Sequence, residues 1–243
     1  MAITGGEEMT GTLYGLGIGP GDPELITLKA LRIIEKTPVI AYPAPDIGES
    51  LARAIAAPHI PCGKTEIIIR TPMVAENFPA HDVYDRYAKD IAKHLSKSKD
   101  VAVLCEGDPF LYGSFMYLFA RLSNKYPTCI VPGVSSLGAC AAAIGVPLVS
   151  RNETLSIVPG PLGEAELINR IEAAQAVAVM KVGRHFKKVC RVIDHLGLSK
   201  YAHYVERASM TKQLALTLDQ VDATKVPYFS MILIRRPTGE QGP

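Results

Sequence analysis

Short apolar runs alternate along the chain with longer segments in which apolar residues recur at helical spacing. In the first half, Leu13 to Gly19, Val39 to Ala44, Glu66 to Thr71, Val101 to Glu106 and Cys129 to Val131 read as strands. Val101-Ala102-Val103-Leu104-Cys105 is apolar at every position, the pattern of a strand covered on both faces rather than on one. Glu24 to Lys36, Ser50 to Ala57, Pro79 to Lys97 and Tyr112 to Asn124 carry the helical period between them. Strands separated by helices predict a parallel sheet with helical crossovers.

The second half starts with a helical stretch, Ser135 to Ile144, and a polar turn at Ser150 to Glu153. Beyond it, Leu155 to Val158, Ala176 to Lys181, Tyr201 to Val205 and Tyr228 to Arg235 read as strands, with helices at Glu164 to Ala173 and His185 to His195. The connection from Met210 to Lys225 is too short and too polar for a packed crossover helix, which predicts an antiparallel last strand. The expected fold is α/β in two lobes: a mainly parallel sheet over residues 11–149 and a mixed sheet over 150–236, hinged near Ser150. Residues 1–10 and 237–243 read as tails, the first of them disordered.

Composition narrows the class. With 243 residues, 48% of them hydrophobic, the chain can bury a full core, which excludes collagenous, disordered and disulfide-scaffold readings. Its 26 basic residues barely exceed 24 acidic ones and form no block, so nucleic acid is a poor candidate partner. The cysteines, Cys62, Cys105, Cys129, Cys140 and Cys190, are odd in number and form no CxxC pair, as expected of reduced cytosolic thiols in core positions. Met1 to Thr10 lacks the apolar core of a signal peptide, Met9 offers an alternative start, and no apolar run approaches the ~18 residues of a membrane span. A soluble, cytoplasmic protein without a membrane partner is expected. The histidines show no HExxH pattern and no pairing with cysteines, so no metal site is expected.

Three clusters carry candidate chemistry, each where a strand gives way to a helix. Gly15, Gly17, Gly19 and Gly21 alternate ahead of Asp22-Pro23-Glu24. Helix initiation explains Asp22 as a cap and Pro23 as a first helical residue, but not the glycines. Bare backbone at the carboxyl end of a strand lets a ligand approach closely. The dinucleotide fingerprint GxGxxG fails in both registers, on Pro20 or on Asp22, and no GK[ST] follows. In Glu106-Gly107-Asp108-Pro109-Phe110-Leu111-Tyr112-Gly113-Ser114, Pro109 biases Asp108 away from helix and holds its carboxylate at the strand tip, placed for ribose hydroxyls or an ammonium group. In Pro132-Gly133-Val134-Ser135-Ser136-Leu137, a nucleophile elbow fails only at Leu137. A serine hydrolase built on Ser135 with Asp194 and His195 or His203 is therefore the alternative from another class.

Together, GLGIGPGD at Gly15 to Asp22, EGDPFLYGS at Glu106 to Ser114 and PGVSS at Pro132 to Ser136 resemble the tetrapyrrole methylases, which use S-adenosylmethionine as methyl donor. The opening, Gly11 to Tyr14 through Pro23 to Ala30 and then Val39 to Pro43, is most similar to the branch that methylates carbon 20 of precorrin-2 in cobalamin synthesis. The resemblance runs from Gly11 to Arg236. It implies a homodimer of two-lobed chains with the cofactor folded into a cleft between the lobes, and S-adenosylhomocysteine as product. Carried over by position, Pro20, Gly107, Asp108, Leu111, Tyr112, Ser135, Ser136, Met180, Arg207, Ala208 and Phe229 would bind the donor. Gly19, Pro20, Gly21 and Asp22 would face the tetrapyrrole. Its carboxylates would pair with Arg70, Arg151 and Arg184, with Lys181 and Arg207 as further cations. Glu106 and Tyr112 are the candidate proton acceptors. Cobalt-bearing factor II, another ring-carbon methylase, a diphthine synthase or a donor-sensing domain without turnover are the neighbouring readings.

Overall fold

A parallel sheet and a mixed sheet, each with its own helices, make up the computed structural model, which describes residues 10–71 and 81–236. The tails, Met9 as a start and the Pro79 end of the third expected helix lie outside the described residues. The division between the two units falls between Ser135 and Ser136.

In the first unit, β1 (Leu13–Gly17), β2 (Val39–Pro45), β3 (Thr65–Thr71), β4 (Val101–Cys105) and β5 (Thr128–Val131) form a wholly parallel sheet in the order β3-β2-β4-β1-β5. The crossovers carry α1 (Leu28–Lys36), α2 (Leu51–Ala56), α3 (His81–Leu95) and α4 (Phe115–Leu122). All five residues of β4 are buried because its faces serve different cores. Val101 and Val103 pack with Ile91 of α3 and Phe115 of α4, while Ala102 and Leu104 pack with Ile34 of α1 and Ile55 of α2. The first helix starts later than the pattern predicts. Asp22 caps only a single 3-10 turn, Pro23–Leu25, Ile26 is extended, and Thr27 caps α1 through the Ala30 amide.

The second unit contains α5 (Ser136–Ile144), β6 (Leu155–Pro159), α6 (Glu164–Glu172), β7 (Ala176–Met180), α7 (Phe186–His195), β8 (Ala202–Glu206), β9 (Leu214–Thr217) and β10 (Ser230–Arg235). Its sheet runs β6-β7-β10-β8-β9, parallel between β6 and β7 and antiparallel elsewhere, so the expected antiparallel last strand is present. Leu167 and Ile171 of α6 and Val189 and Ile193 of α7 pack with Val177, Val179, Ile232 and Ile234 of the sheet. Packing of α5 on β8 and β10 joins that helix to the second unit and places the division ahead of the Ser150 turn. The connection from Met210 to Lys225, read as too short and polar for a packed crossover helix, contains β9, a largely exposed edge strand paired to β8.

All five cysteines are free, but Cys62 is exposed in a turn, against the expectation that each fills a core position. No helix of the described residues is long and apolar enough to cross a membrane.

Candidate active site

The strand order places the carboxyl ends of β4, β1 and β5 side by side, and these ends carry the three clusters. Open parallel sheets bind ligands outside the carboxyl ends of their strands, where the order of connections reverses. Gly19 and Gly107 form an antiparallel bridge. The Gly107 amide donates to the Gly19 carbonyl at 2.8 Å and the Gly19 amide to the Gly107 carbonyl at 3.3 Å. Both residues have positive φ, +82° and +65°, a conformation that strongly favours glycine.

The neighbouring glycines are needed for space. A Cβ on Gly133 would stand 2.1 Å from the Gly107 carbonyl oxygen, and one on Gly17 would stand 2.4 Å from the Gly133 nitrogen. One on Gly15 would strike the Phe115 ring at 2.4 Å. The expectation of bare backbone open to a ligand is therefore corrected for Gly15 and Gly17, whose missing side chains make room for protein atoms. Gly15, Gly17, Gly19 and Pro20 are buried, and the first two glycines let protein atoms meet; Gly21 and Asp22 are half-buried. Asp22 itself accepts the Glu24 amide at 2.8 Å.

Asp108 clasps two of the strand ends together. Its Oδ1 accepts from the Phe110 and Leu111 amides at 2.9 and 3.2 Å, and its Oδ2 from the Gly133 amide at 3.1 Å. Each carboxylate oxygen has two acceptor positions, so Oδ2 keeps one for a ligand hydroxyl. After this clasp the chain turns tightly. A Cβ on Gly113 would meet the Pro109 and Asp108 carbonyl oxygens at 2.5 and 2.8 Å, and Tyr112 is driven to φ +56°. Leu111 is half-buried and Tyr112 exposed.

Glu106 points toward α2, where its Oε1 accepts the Ala52 amide at 3.2 Å. Burial raises its pKa above the ordinary carboxylate value. The folded protein thus holds this proton more tightly than the unfolded chain. The stabilisation is complete below the unfolded pKa and is lost as pH rises through the folded one. Glu106→Gln, which can still accept from Ala52, is expected to flatten this loss. Melting temperatures between about pH 5 and 8 should show the variant gaining on the wild type as pH rises, and parallel curves would contradict it.

In the second unit, register collects several expected residues at one sheet edge. Met180 pairs with Met231, and Glu206 with Ser230, so Lys181, Arg207 and Phe229 lie at the same end. Lys181 and Arg207 are both left-handed, at φ +56° and +50°, as is Ser209 at +64°. Such strain in non-glycine residues concentrates at functional sites. The Arg207 amide donates to the Phe229 carbonyl at 3.0 Å, Ala208 is buried, and the exposed Phe229 ring meets Tyr228 edge-on at 5.1 Å. The pattern of residues had not indicated Gly160, whose amide donates to the Met180 carbonyl at 2.8 Å; the Pro159-Gly160-Pro161 turn at a strand end was its available signal.

Some of the expected cations are engaged by groups of their own unit. Arg207 is ion-paired with buried Glu206, which also accepts the Tyr204 hydroxyl at 2.5 Å. Arg70 Nη1 donates to the carbonyls of Pro45, Asp46 and Gly48, bracing the turn after β2. Arg184 contacts His185 and is exposed. Arg151 precedes β6, which runs parallel to β7, so it lies at the sheet edge opposite Met180. Ser135 and Ser136 lead into α5, half-buried. Asp194, the acid of the alternative triad, accepts the Ser199 hydroxyl at 3.2 Å.

A family model of the tetrapyrrole (corrin/porphyrin) methylases matches residues 12–222. The chain is 42% identical over 232 residues to the cobalamin biosynthesis protein CobIJ of Mycobacterium tuberculosis, covering 92% of this chain and 46% of that protein. It thus spans about half the length of those mycobacterial relatives. It is 36% identical to a precorrin-2 C(20)-methyltransferase of Sinorhizobium sp, covering 92% and 95% of the two chains. Among solved structures, uroporphyrin-III C-methyl transferase from Thermus thermophilus complexed with S-adenyl homocysteine matches with a TM-score of 0.67 at 26% identity, covering 92% and 97%. The cobalt precorrin-4 methyltransferase CbiF shares the fold, with a TM-score of 0.73 at 23% identity over 92% and 94%. With glycine-pinned strand ends in the first unit and a match across both, the chain belongs to the tetrapyrrole methylases.

Proposed function

We propose that this chain transfers a methyl group from S-adenosylmethionine to carbon 20 of precorrin-2 or of its cobalt-bearing counterpart, releasing S-adenosylhomocysteine and a proton. The full-length similarity to a precorrin-2 C(20)-methyltransferase supports the substrate class, and a 30% identical cobalt-precorrin-2 C(20)-methyltransferase of Salmonella typhimurium, covering 94% and 98%, supports the cobalt form. The single observation that carries the reading is the Gly19–Gly107 bridge beside the Asp108 clasp.

When bound, the sulfonium donor supplies an already activated methyl group, so the chain's task is alignment of the two reactants. Alignment alone can lower a barrier by roughly 7–11 kcal/mol. Pro20, Gly107 and Leu111 would hold the donor by shape, and Asp108 would accept from a ribose hydroxyl through the free position on Oδ2. The resemblance assigns Ser135, Ser136, Met180, Arg207, Ala208 and Phe229 to the same ligand. Methyl transfer breaks the carbon–sulfur bond, whose electron pair stays on sulfur, and forms a carbon–carbon bond. The displaced ring proton then leaves to water or to a nearby base.

A homodimer in the cytoplasm completes the proposal. Incubation with methyl-labelled donor and precorrin-2, metal-free and cobalt-bearing in parallel, is expected to give one methylation at carbon 20. Methylation at another carbon, or none with either form, would contradict it.

A further inference from the structure

Large apolar residues that the first unit leaves in solvent gather at one edge of its sheet. Because that sheet is wholly parallel, its strand-to-helix connections lie at the carboxyl edge and its helix-to-strand connections at the opposite one. Leu28, Ile47, Phe110 and Val134 are all exposed. They stand on the connections leading from β1, β2, β4 and β5 into the following helices, Leu28 as the first helical residue. Among the described residues the helix-to-strand connections expose no large aliphatic or aromatic side chain and carry Lys97, Lys99 and Lys125 in solvent instead. Apolar exposure confined to one edge marks a contact surface, and this is the edge where such folds bind ligands.

Ile47 is the most exposed of the four, at 93%, and it stands on a fixed turn. Arg70 Nη1 holds the carbonyls on both sides of it, those of Asp46 and Gly48 at 3.3 Å each, together with that of Pro45 at 2.7 Å. Where the turn enters α2, Ser50 Oγ donates to the Pro43 carbonyl at 2.5 Å and accepts from the Arg53 amide at 3.1 Å. The Ala52 amide donates to Glu106, the residue before Gly107 of the strand-end bridge, so the turn is tied to the candidate site. A guanidinium thus fixes the backbone that carries a solvent-facing isoleucine beside β4.

We propose that Ile47 is a substrate-contacting residue that packs against the apolar face of the tetrapyrrole, with Arg70 as its positioning residue; this rests on the methyl-transfer reading above. The extent of the rim favours this occupant. Its residues come from β2, β4, β1 and β5, which are consecutive neighbours in the sheet. Three strand spacings of about 4.8 Å span roughly 14 Å, the scale of a flat macrocycle. Such a ligand meets several strand ends at once, and a side chain on a braced turn keeps its plane from tilting.

The experiment compares Ile47→Ser, Arg70→Met and the double variant in the full chain. It measures the Kd of precorrin-2 with S-adenosylhomocysteine saturating, the Kd of S-adenosylhomocysteine alone, Tm and the sedimentation coefficient. Ile47→Ser is expected to weaken precorrin-2 binding about three- to tenfold, the share of a full isoleucine burial that one contacted face supplies. The other three quantities should hold, since the side chain touches little of its own protein. Arg70→Met is expected to weaken precorrin-2 binding by a similar factor, and Ile47→Ser added to it by less than about twofold more. Unchanged precorrin-2 affinity in Ile47→Ser, or an equal loss of S-adenosylhomocysteine affinity, would overturn the contact while leaving methyl transfer standing. A changed sedimentation coefficient would overturn it in favour of contact between copies of the chain. Full additivity in the double variant would overturn the positioning role of Arg70. Precorrin-2 that the wild type neither binds nor methylates would overturn both the contact and the reading beneath it.

Discussion

Gly133→Ala is expected to destabilise the protein by about 1–3 kcal/mol and to weaken binding of S-adenosylhomocysteine at least about tenfold. The added Cβ would fall 2.1 Å from the Gly107 carbonyl oxygen and 2.7 Å from the Gly17 Cα. Both are backbone atoms, so no side chain can swing aside, and two strand ends must separate. Separation displaces Gly107 from Gly19 and draws the Gly133 amide away from Asp108. Stability and affinity should therefore fall together. Gly138→Ala in α5 is the control. Its Cβ would meet nothing within 4 Å, and alanine favours a helix over glycine by about 1 kcal/mol. Urea midpoints and calorimetry on both variants check the contrast. A Gly133→Ala protein with wild-type stability would contradict the packing.

Asp108→Ala is expected to have the second large effect. It removes the acceptor of three amides, those of Phe110, Leu111 and Gly133. An unsatisfied buried donor costs about 1–3 kcal/mol, but Phe110 is exposed and water can replace part of the loss, so a total of about 2–3 kcal/mol is expected. Donor affinity should drop further than stability does, because the same carboxylate is assigned a ribose hydroxyl. Asp108→Asn keeps one oxygen for Phe110 and Leu111 and should recover part of the stability. Full recovery of affinity in Asp108→Asn would remove the charge from the site.

The first sheet was legible in the sequence because its strands are covered on both faces. Val101 to Cys105 is apolar at each step and is buried at each step. Edge elements left a weaker trace: β9 is mostly exposed, so its side chains carry no core pattern. The division at Ser135/Ser136 differs from the expected boundary near Ser150 for a related reason. Helix α5 is almost uniformly small and apolar, and its own residues do not say which sheet it covers.

The three glycine clusters lie at neighbouring strand ends, and Gly15 and Gly17 there make room for protein atoms rather than leaving open backbone. A Cβ on Gly17 would stand 2.4 Å from the Gly133 nitrogen only because β1 and β5 are adjacent, a relation between distant segments. The same holds for Asp108, whose partner Gly133 lies 25 residues away. Arg70 and Arg207 looked free because their partners, the carbonyls after β2 and the buried Glu206, depend on local folding rather than on charge spacing. Left-handed backbone at Lys181, Arg207 and Tyr112 had no compositional signal at all, since glycine would be the usual marker.

Amide hydrogen exchange of the full chain with and without S-adenosylhomocysteine tests most directly whether the joined ends of β1, β4 and β5 hold the donor. Slowed exchange at residues 18–21, 107–112 and 133–136 on ligand addition is predicted. Unchanged exchange at those three segments, with calorimetry showing the ligand bound, would contradict the account.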